Sequence, residues 1–222
     1  MKRGKTGDIN DSKLKESIII DRINSGEKEL YEILIRRNNQ KLYRVVRSYL
    51  NNSMEIEDIM QNTYLKAYEN LPKFKSNSLF STWLIRIGIN EALARIRERS
   101  KIHQVETVVY PRMNSILEIP DVEQPNPETH IINKEARILL ERLLDSLDSK
   151  YRVVYIMREI EGMPVKEIAA CLDLSKSNVK VRLHRAKSFM KERFTMVAKQ
   201  KEIFEYGGGH CDRLTEKVMS ML

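Results

Sequence analysis

Cysteine is nearly absent from this chain: of its 222 residues, only Cys171 and Cys211 carry a thiol. Two isolated thiols form no disulfide framework, so a reducing cytoplasm is the expected compartment. They also fall short of a zinc site, which needs about four ligands at paired spacings. Four histidines and these two cysteines offer no such pairing, His210-Cys211 included, and neither a metal nor a cofactor is expected. Glycine is scarce, at eight residues. Nothing resembles a glycine-rich phosphate loop or a nucleophile beside its base, so no enzyme activity is expected. No apolar run approaches the roughly 20 residues that span a bilayer, Ile18-Ile19-Ile20 being far too short, and membrane insertion is not expected. The N-terminus shows no long apolar core followed by a small-residue cleavage site, so no secretory signal is expected.

What remains is helix formers and charge. Lys and Arg number 39 against 31 Asp and Glu, a net +8 that favours an anionic partner. With few breakers between long amphipathic patterns, an all-α protein is expected.

The richest stretch is 164–193. Pro164-Val165-Lys166-Glu167-Ile168-Ala169-Ala170-Cys171-Leu172 reads as a short helix that buries Ile168, Ala169 and Leu172. Asp173-Leu174-Ser175 breaks the stripe, and Ser175 is placed to cap the next helix. That helix turns Val179, Leu183 and Ala186 inward and carries Lys176, Lys180, Arg182, Arg185, Lys187, Lys191 and Arg193 against the single acid Glu192. A capped turn before a densely basic helix is the pattern of a helix-turn-helix whose second helix enters the major groove of DNA. Arg and Lys pair with guanine edges, and Ser or Asn with donor or acceptor edges. Candidate readers are therefore Lys176, Ser177, Asn178, Lys180, Arg182 and Arg185. Lys187 and Lys191 suit phosphate contacts, which add affinity without sequence choice.

Proline placement divides the chain. Four of six prolines, Pro111, Pro120, Pro125 and Pro127, lie in a segment that from position 103 to 130 holds five acids and one base. That composition predicts an extended acidic linker over 103–134. The expected organisation is an N-terminal extension (1–26), a helical bundle (27–102), the linker, a helix-turn-helix domain (135–196) and a tail (197–222). The tail's short amphipathic helix carries Leu214, Val218 and Met221. Within the bundle, helices are predicted over about 27–50, 54–70 and 79–100. The last is apolar on more than one face (Leu84, Ile85, Ile87, Ile89, Leu93, Ile96) and is expected to lie centrally. Two further helices are predicted over 135–147 and 150–161, the second stopped by Gly162.

Glu57-Asp58-Ile59-Met60-Gln61-Asn62-Thr63-Tyr64-Leu65-Lys66-Ala67-Tyr68 resembles region 2.2 of the bacterial sigma-70 factors. Phe80-Ser81-Thr82-Trp83-Leu84-Ile85-Arg86-Ile87-Gly88-Ile89-Asn90 resembles the promoter-melting helix of the same family, and 144–148 with the helix-turn-helix resembles region 4. Both halves, in this order across an acidic linker, are similar to the small extracytoplasmic-function group. The resemblance implies a factor that binds core RNA polymerase, reads the −35 promoter element as duplex and melts the −10 element. It implies that Glu57, Asp58, Gln61 and Asn62 meet the clamp helices of the largest polymerase subunit, and that region 4 meets the flap. It further implies that Phe74, Lys75, Ser76, Asn77 and Phe80, with Arg86 and Asn90 on the adjoining helix, take up the −10 strand. Small, aromatic and basic residues are the types that trap a flipped base and hold single strand. Trp83 reads rather as core. An anti-sigma partner and passage of the acidic linker through the polymerase cleft are also implied.

From the residues alone, Asp58 and Gln61 share one helix face, while Glu55, Glu57 and Asp58 also suit the positive end of the helix dipole. The competing function class is a helix-turn-helix regulator that binds DNA without being a polymerase subunit. Such a chain would carry an α/β receiver, and residues 1–130 show helical patterns only.

Overall fold

A computed structural model of the chain describes residues 14–76, 78–103 and 127–201. Eight α-helices and no strand occur among the described residues: α1 (Glu16–Asn24), α2 (Tyr31–Arg47), α3 (Ser53–Asn70), α4 (Phe80–His103), α5 (Pro127–Ser146), α6 (Ser149–Tyr155), α7 (Val165–Leu172) and α8 (Lys176–Lys201). The expected all-α architecture of two helical units is what the chain adopts. None of the described helices is long and apolar enough to cross a membrane. Positions 104–126 of the linker, the first 13 residues and the tail with His210, Cys211, Leu214, Val218 and Met221 lie outside the described residues.

The first unit is built on α2, α3 and α4. Asn52 caps α3 by accepting the Glu55 N–H at 3.2 Å, leaving Ile56, Ile59, Thr63 and Ala67 on the buried stripe. Tyr31 Oη donates to the Tyr64 carbonyl at 2.7 Å, and Tyr64 Oη donates to the Ile35 carbonyl at 3.2 Å, which binds the start of α2 to α3 without orphaning a buried hydroxyl. Gly88 lets α4 approach α2: a Cβ there would stand 2.7 Å from Leu42 Cδ1. The core reaches further back than the expected boundary at residue 27, because α1 buries Ile19, Ile20 and Ile23 in it. The α1–α2 turn passes through Gly26 at φ +114°, a conformation that favours glycine.

In the second unit, Asp148 caps α6 by accepting the Lys150 N–H at 3.1 Å, and α5 packs on α8 through Leu143, Leu144, Leu147, Ala186 and Met190. Helix α5 begins at Pro127, inside the stretch expected to be extended linker; proline at a first helical turn loses no helix hydrogen bond. The helix predicted over 150–161 becomes α6 plus a π turn, Ile156–Ile160, which Gly162 closes at φ +67°.

The two units do not stand apart. Leu84 and Ala92 of α4 face the first core, whereas Ile85 and Ile89 join Val45 of α2 in a cluster with Val153, Val154, Met157, Ile168, Ala169, Cys171 and Val179. The second apolar face of α4 is thus the seat of the helix-turn-helix. Polar contacts ring this junction. Arg47 makes a two-pronged pair with Asp145 (2.9 and 2.8 Å), Arg44 pairs with Glu161 at 2.7 Å, and Thr82 Oγ1 donates to Glu167 Oε2 at 2.5 Å.

Candidate functional site

Helix α8 starts as the turn chemistry dictates. Helix α7 ends on Asp173 at φ +53°, a left-handed position that aspartate tolerates better than most residues. Ser175 Oγ then accepts the Asn178 N–H at 3.1 Å, satisfying a donor at the first turn of α8.

The burial of α8 fixes its reading face. Val179 and Ala186 are fully buried, Met190 is nearly so, and Arg182, Leu183 and Phe189 are half-buried. At about 100° per residue, the side opposite this core is the ridge Ser177, Val181, His184 and Ser188. Lys180, Lys187 and Lys191 flank it on one side, and Asn178 and Arg185 on the other; all nine are exposed. Val181 is 50% exposed. Lys176 is exposed at the helix start.

The candidate readers are not equivalent. Arg182 turns toward the first unit and donates through Nε to Asn178 Oδ1 at 2.8 Å. Its charge lowers the pKa of Tyr49 against burial, which dominates and pushes that hydroxyl up to about 12. Arg185 donates to Tyr151 Oη at 3.2 Å and holds that hydroxyl below its usual pKa. Lys187 pairs with Glu159 at 2.9 Å. Lys176, Ser177 and Lys180 are exposed, Ser177 and Lys180 beside Val181.

The second candidate face lies on α3. Glu57, Asp58, Gln61 and Asn62 are all exposed, opposite the stripe of Ile56, Ile59, Thr63 and Ala67. Leu65, one turn beyond Gln61, is 62% exposed. Sequence patterning did not mark it, because a single apolar residue on a polar face leaves no periodic trace. Glu57, Gln61 and Leu65 border a groove of about 650 Å³ between α2 and α3, floored by Tyr31, Ile35, Met60 and Tyr64. Its walls are mainly apolar with carboxylate and amide groups at the rim, which suits an amphipathic helix bearing cations.

The third set is only partly assembled. Lys75, Ser76, Arg86 and Asn90 are exposed, and Ser76 adopts φ +52°. Asn77 lies outside the described residues. Phe80 does not fit its expected role: it is 2% exposed, with its ring centroid 5.8 Å from Trp83 and 6.0 Å from Phe74. The first residue of α4 is drawn into the core because it anchors the loop's return. Phe74 is half-buried in the same cluster and Trp83 belongs to it, as its helical spacing from Ile87 suggested.

Two family models match: Sigma-70 region 2 over residues 34–102 and Sigma-70, region 4 over residues 137–190. The chain is 28% identical over 180 residues to the ECF RNA polymerase sigma-E factor of Escherichia coli (strain K12), covering 78% of this chain and 91% of that protein. It is 26% identical over 174 residues to the ECF RNA polymerase sigma factor SigW of Bacillus subtilis (strain 168), covering 78% and 93%. Among solved structures, the sigma factor RpoE in complex with the anti-sigma factor NepR from Bartonella quintana aligns with a TM-score of 0.60 at 20% identity, covering 74% of this chain and 96% of that one. CnrH in complex with the cytosolic domain of CnrY aligns at 0.56 and 24%, covering 81% and 96%.

Proposed function

The chain belongs to the sigma-70 family, in its extracytoplasmic-function group, and from that premise we propose how its surfaces divide the work of starting transcription at chosen promoters. As a sigma factor it directs transcription initiation, with core RNA polymerase and promoter DNA as its partners.

The groove and ridge around Asp58, Gln61 and Leu65 receive the clamp helices of the largest polymerase subunit. Asp58 and Glu57 meet cations, Gln61 and Asn62 supply amide hydrogen bonds, and Leu65 supplies apolar area. Near the start of α4, Lys75 and Ser76 bound the space into which a −10 base leaves the stack, and Arg86 and Asn90 hold the parted strand. Phe74, Phe80 and Trp83 stiffen the loop from beneath. Helix α8 lies in the −35 major groove: Ser177, Lys176 and Arg185 address base edges, while Lys180, Lys187 and Lys191 neutralise phosphates. Arg182 joins the readers once the first unit no longer holds it. These roles require binding and strand separation, with no bond-making step. The working compartment is the cytoplasm, and an anti-sigma protein is the negative regulator.

One observation carries this reading: the solvent-facing side of α8, opposite its packed stripe, is basic on one flank and hydrogen-bonding on the other, behind a correctly capped turn. The test mixes the purified chain with core polymerase and a supercoiled promoter library. Defined transcript starts that appear only with the chain support it. Duplex binding without polymerase and without transcripts would return the chain to the class of ordinary regulators.

A further inference from the structure

We infer that Val181 is a specificity residue of α8 and reads the 5-methyl group of a thymine within the upstream element. The inference rests on α8 as the duplex-reading helix and names one chemical feature of what it reads.

Val181 is 50% exposed, and it lies on the side of α8 directly opposite the buried Val179, Ala186 and Met190. A helix in the major groove points that outermost line at the groove floor and turns its flanks toward the groove walls, where long side chains reach base edges or phosphates. The flanks here are charged and polar in the required way, with Lys180 and Lys187 on one side and Asn178 and Arg185 on the other. Between them the central line is nearly neutral, and Val181 is its one aliphatic member.

Valine is a poor choice for an exposed mid-helix site on structural grounds. It is a weaker helix former than lysine, arginine or alanine, and burial does not compensate for that here. Its two methyl groups can neither donate nor accept a hydrogen bond, so among base edges they match only one feature. The thymine C5-methyl is the apolar group of the major groove, and no other standard base presents one there. Ser177 and Arg185, one turn either side of Val181 on the same face, supply polar contacts for neighbouring base pairs.

The experiment uses the full chain reconstituted with core polymerase. The preferred upstream element is first selected from a randomised duplex library. Each thymine of that element is then replaced singly by deoxyuridine, which removes the methyl and preserves Watson–Crick pairing. Burying one methyl is worth a few-fold in affinity, so deoxyuridine at one thymine should lower binding and start-site use about threefold to fivefold. Val181→Ala should lower both by a similar factor on thymine DNA and make the protein indifferent to deoxyuridine at that position. As Val181 is half-exposed, the variant should keep its fold, which its melting curve checks. A selected element without thymine, deoxyuridine that is harmless at every position, or an equal deoxyuridine penalty in wild type and Val181→Ala would each overturn the inference. If the reconstituted enzyme shows no sequence preference upstream at all, the reading of α8 itself fails; a preference that survives while the methyl effect is missing removes Val181 alone.

Discussion

Thr82 and Glu167 stand 85 positions apart in sequence, yet the threonine hydroxyl donates to the glutamate carboxylate at 2.5 Å. Beside them, the Cys171 thiol donates to the Thr82 carbonyl at 3.4 Å. Helix α4 and the first helix of the helix-turn-helix are thereby joined, with Ile85 and Ile89 buried against α7 just beyond. This junction sets a limit on reach. Asn90 is eight residues along α4 from Thr82, and Val181 is ten residues from Cys171, so Asn90 and Val181 lie no more than about 45 Å apart. Elements named −10 and −35 are separated by about 25 base pairs, roughly 85 Å of straight duplex. With the −10 and −35 contacts proposed above, the closed form cannot engage both.

Fluorescence transfer between labels on Ala94→Cys and Ser188→Cys, in a Cys211→Ser background, should therefore be high in the free protein and low in the promoter-bound holoenzyme. Glu167→Lys should shift the free protein toward low transfer by removing the acceptor for Thr82 and placing a cation against the Arg86 side of α4. Unchanged transfer on binding would refute the opening step.

Asp58→Arg and Leu65→Asp should each weaken binding of core polymerase about tenfold or more, as expected for central contacts of a protein interface. Both side chains are exposed, so thermal melting should shift by little. Polymerase titration followed by fluorescence anisotropy checks this; equal affinity in both variants would move the docking surface elsewhere.

On α8, Lys180→Ala and Lys187→Ala should each flatten the dependence of log affinity on log salt by about one phosphate contact and leave sequence preference alone. Arg185→Ala should relax preference at one base pair by about 1–3 kcal/mol. The lysine at 187 is paired with Glu159 in the free protein, so Glu159→Gln should strengthen duplex binding slightly at low salt.

Burial pushes the Cys171 thiol up to about 12, assisted by Glu167 and opposed by Arg86. The raised pKa means that the folded state keeps the proton longer than the unfolded chain. Stability from this site is complete below the ordinary thiol value near 9 and is lost as pH rises from there toward 12. Urea midpoints at pH 7 and pH 10.5 should differ more in the wild type than in Cys171→Ala. In a Cys211→Ser background, iodoacetamide should modify Cys171 slowly at pH 8, and faster in Glu167→Lys.

Gly88→Ala tests the α2–α4 contact. Alanine is the better helix former by about 1 kcal/mol, but the new methyl would stand 2.7 Å from Cδ1 of Leu42, which is fully buried. Overpacking of that kind costs about 1–3 kcal/mol, so a net loss is expected in denaturant titration. Leu42→Ala should recover part of the penalty when combined with it.

Much of this architecture was legible from residue order. The Ser175 cap, the Asp173 break and the inward Val179 and Ala186 follow from local chemistry, which acts over a single turn. The doubled apolar face of α4 was also visible, but periodicity reports only that a face is covered. What covers Ile85 and Ile89 lies some 80 positions away, in residues such as Cys171 and Ile168, and no local pattern encodes that pairing. Phe80 misled because an aromatic beside a small polar loop has the same composition whether it faces a base or a core. Val181 was overlooked because a count of cations along α8 weighs charge and ignores the one aliphatic residue on the ridge. The exposure of Glu57, Asp58, Gln61 and Asn62 was readable because the outward face of an amphipathic helix is itself a matter of spacing.

The oily seam between the two units has a cost once parted. Val45, Ile85, Ile89, Met157 and Ile168 are all almost completely shielded in the closed molecule. Pulled open in plain water, they would present two sticky surfaces at once. An uncapped extended form is therefore a transient, prone to clumping, and lasts only as long as something else takes over the shielding. The free molecule in the cell should consequently be found folded upon itself or handed directly from one host to the next.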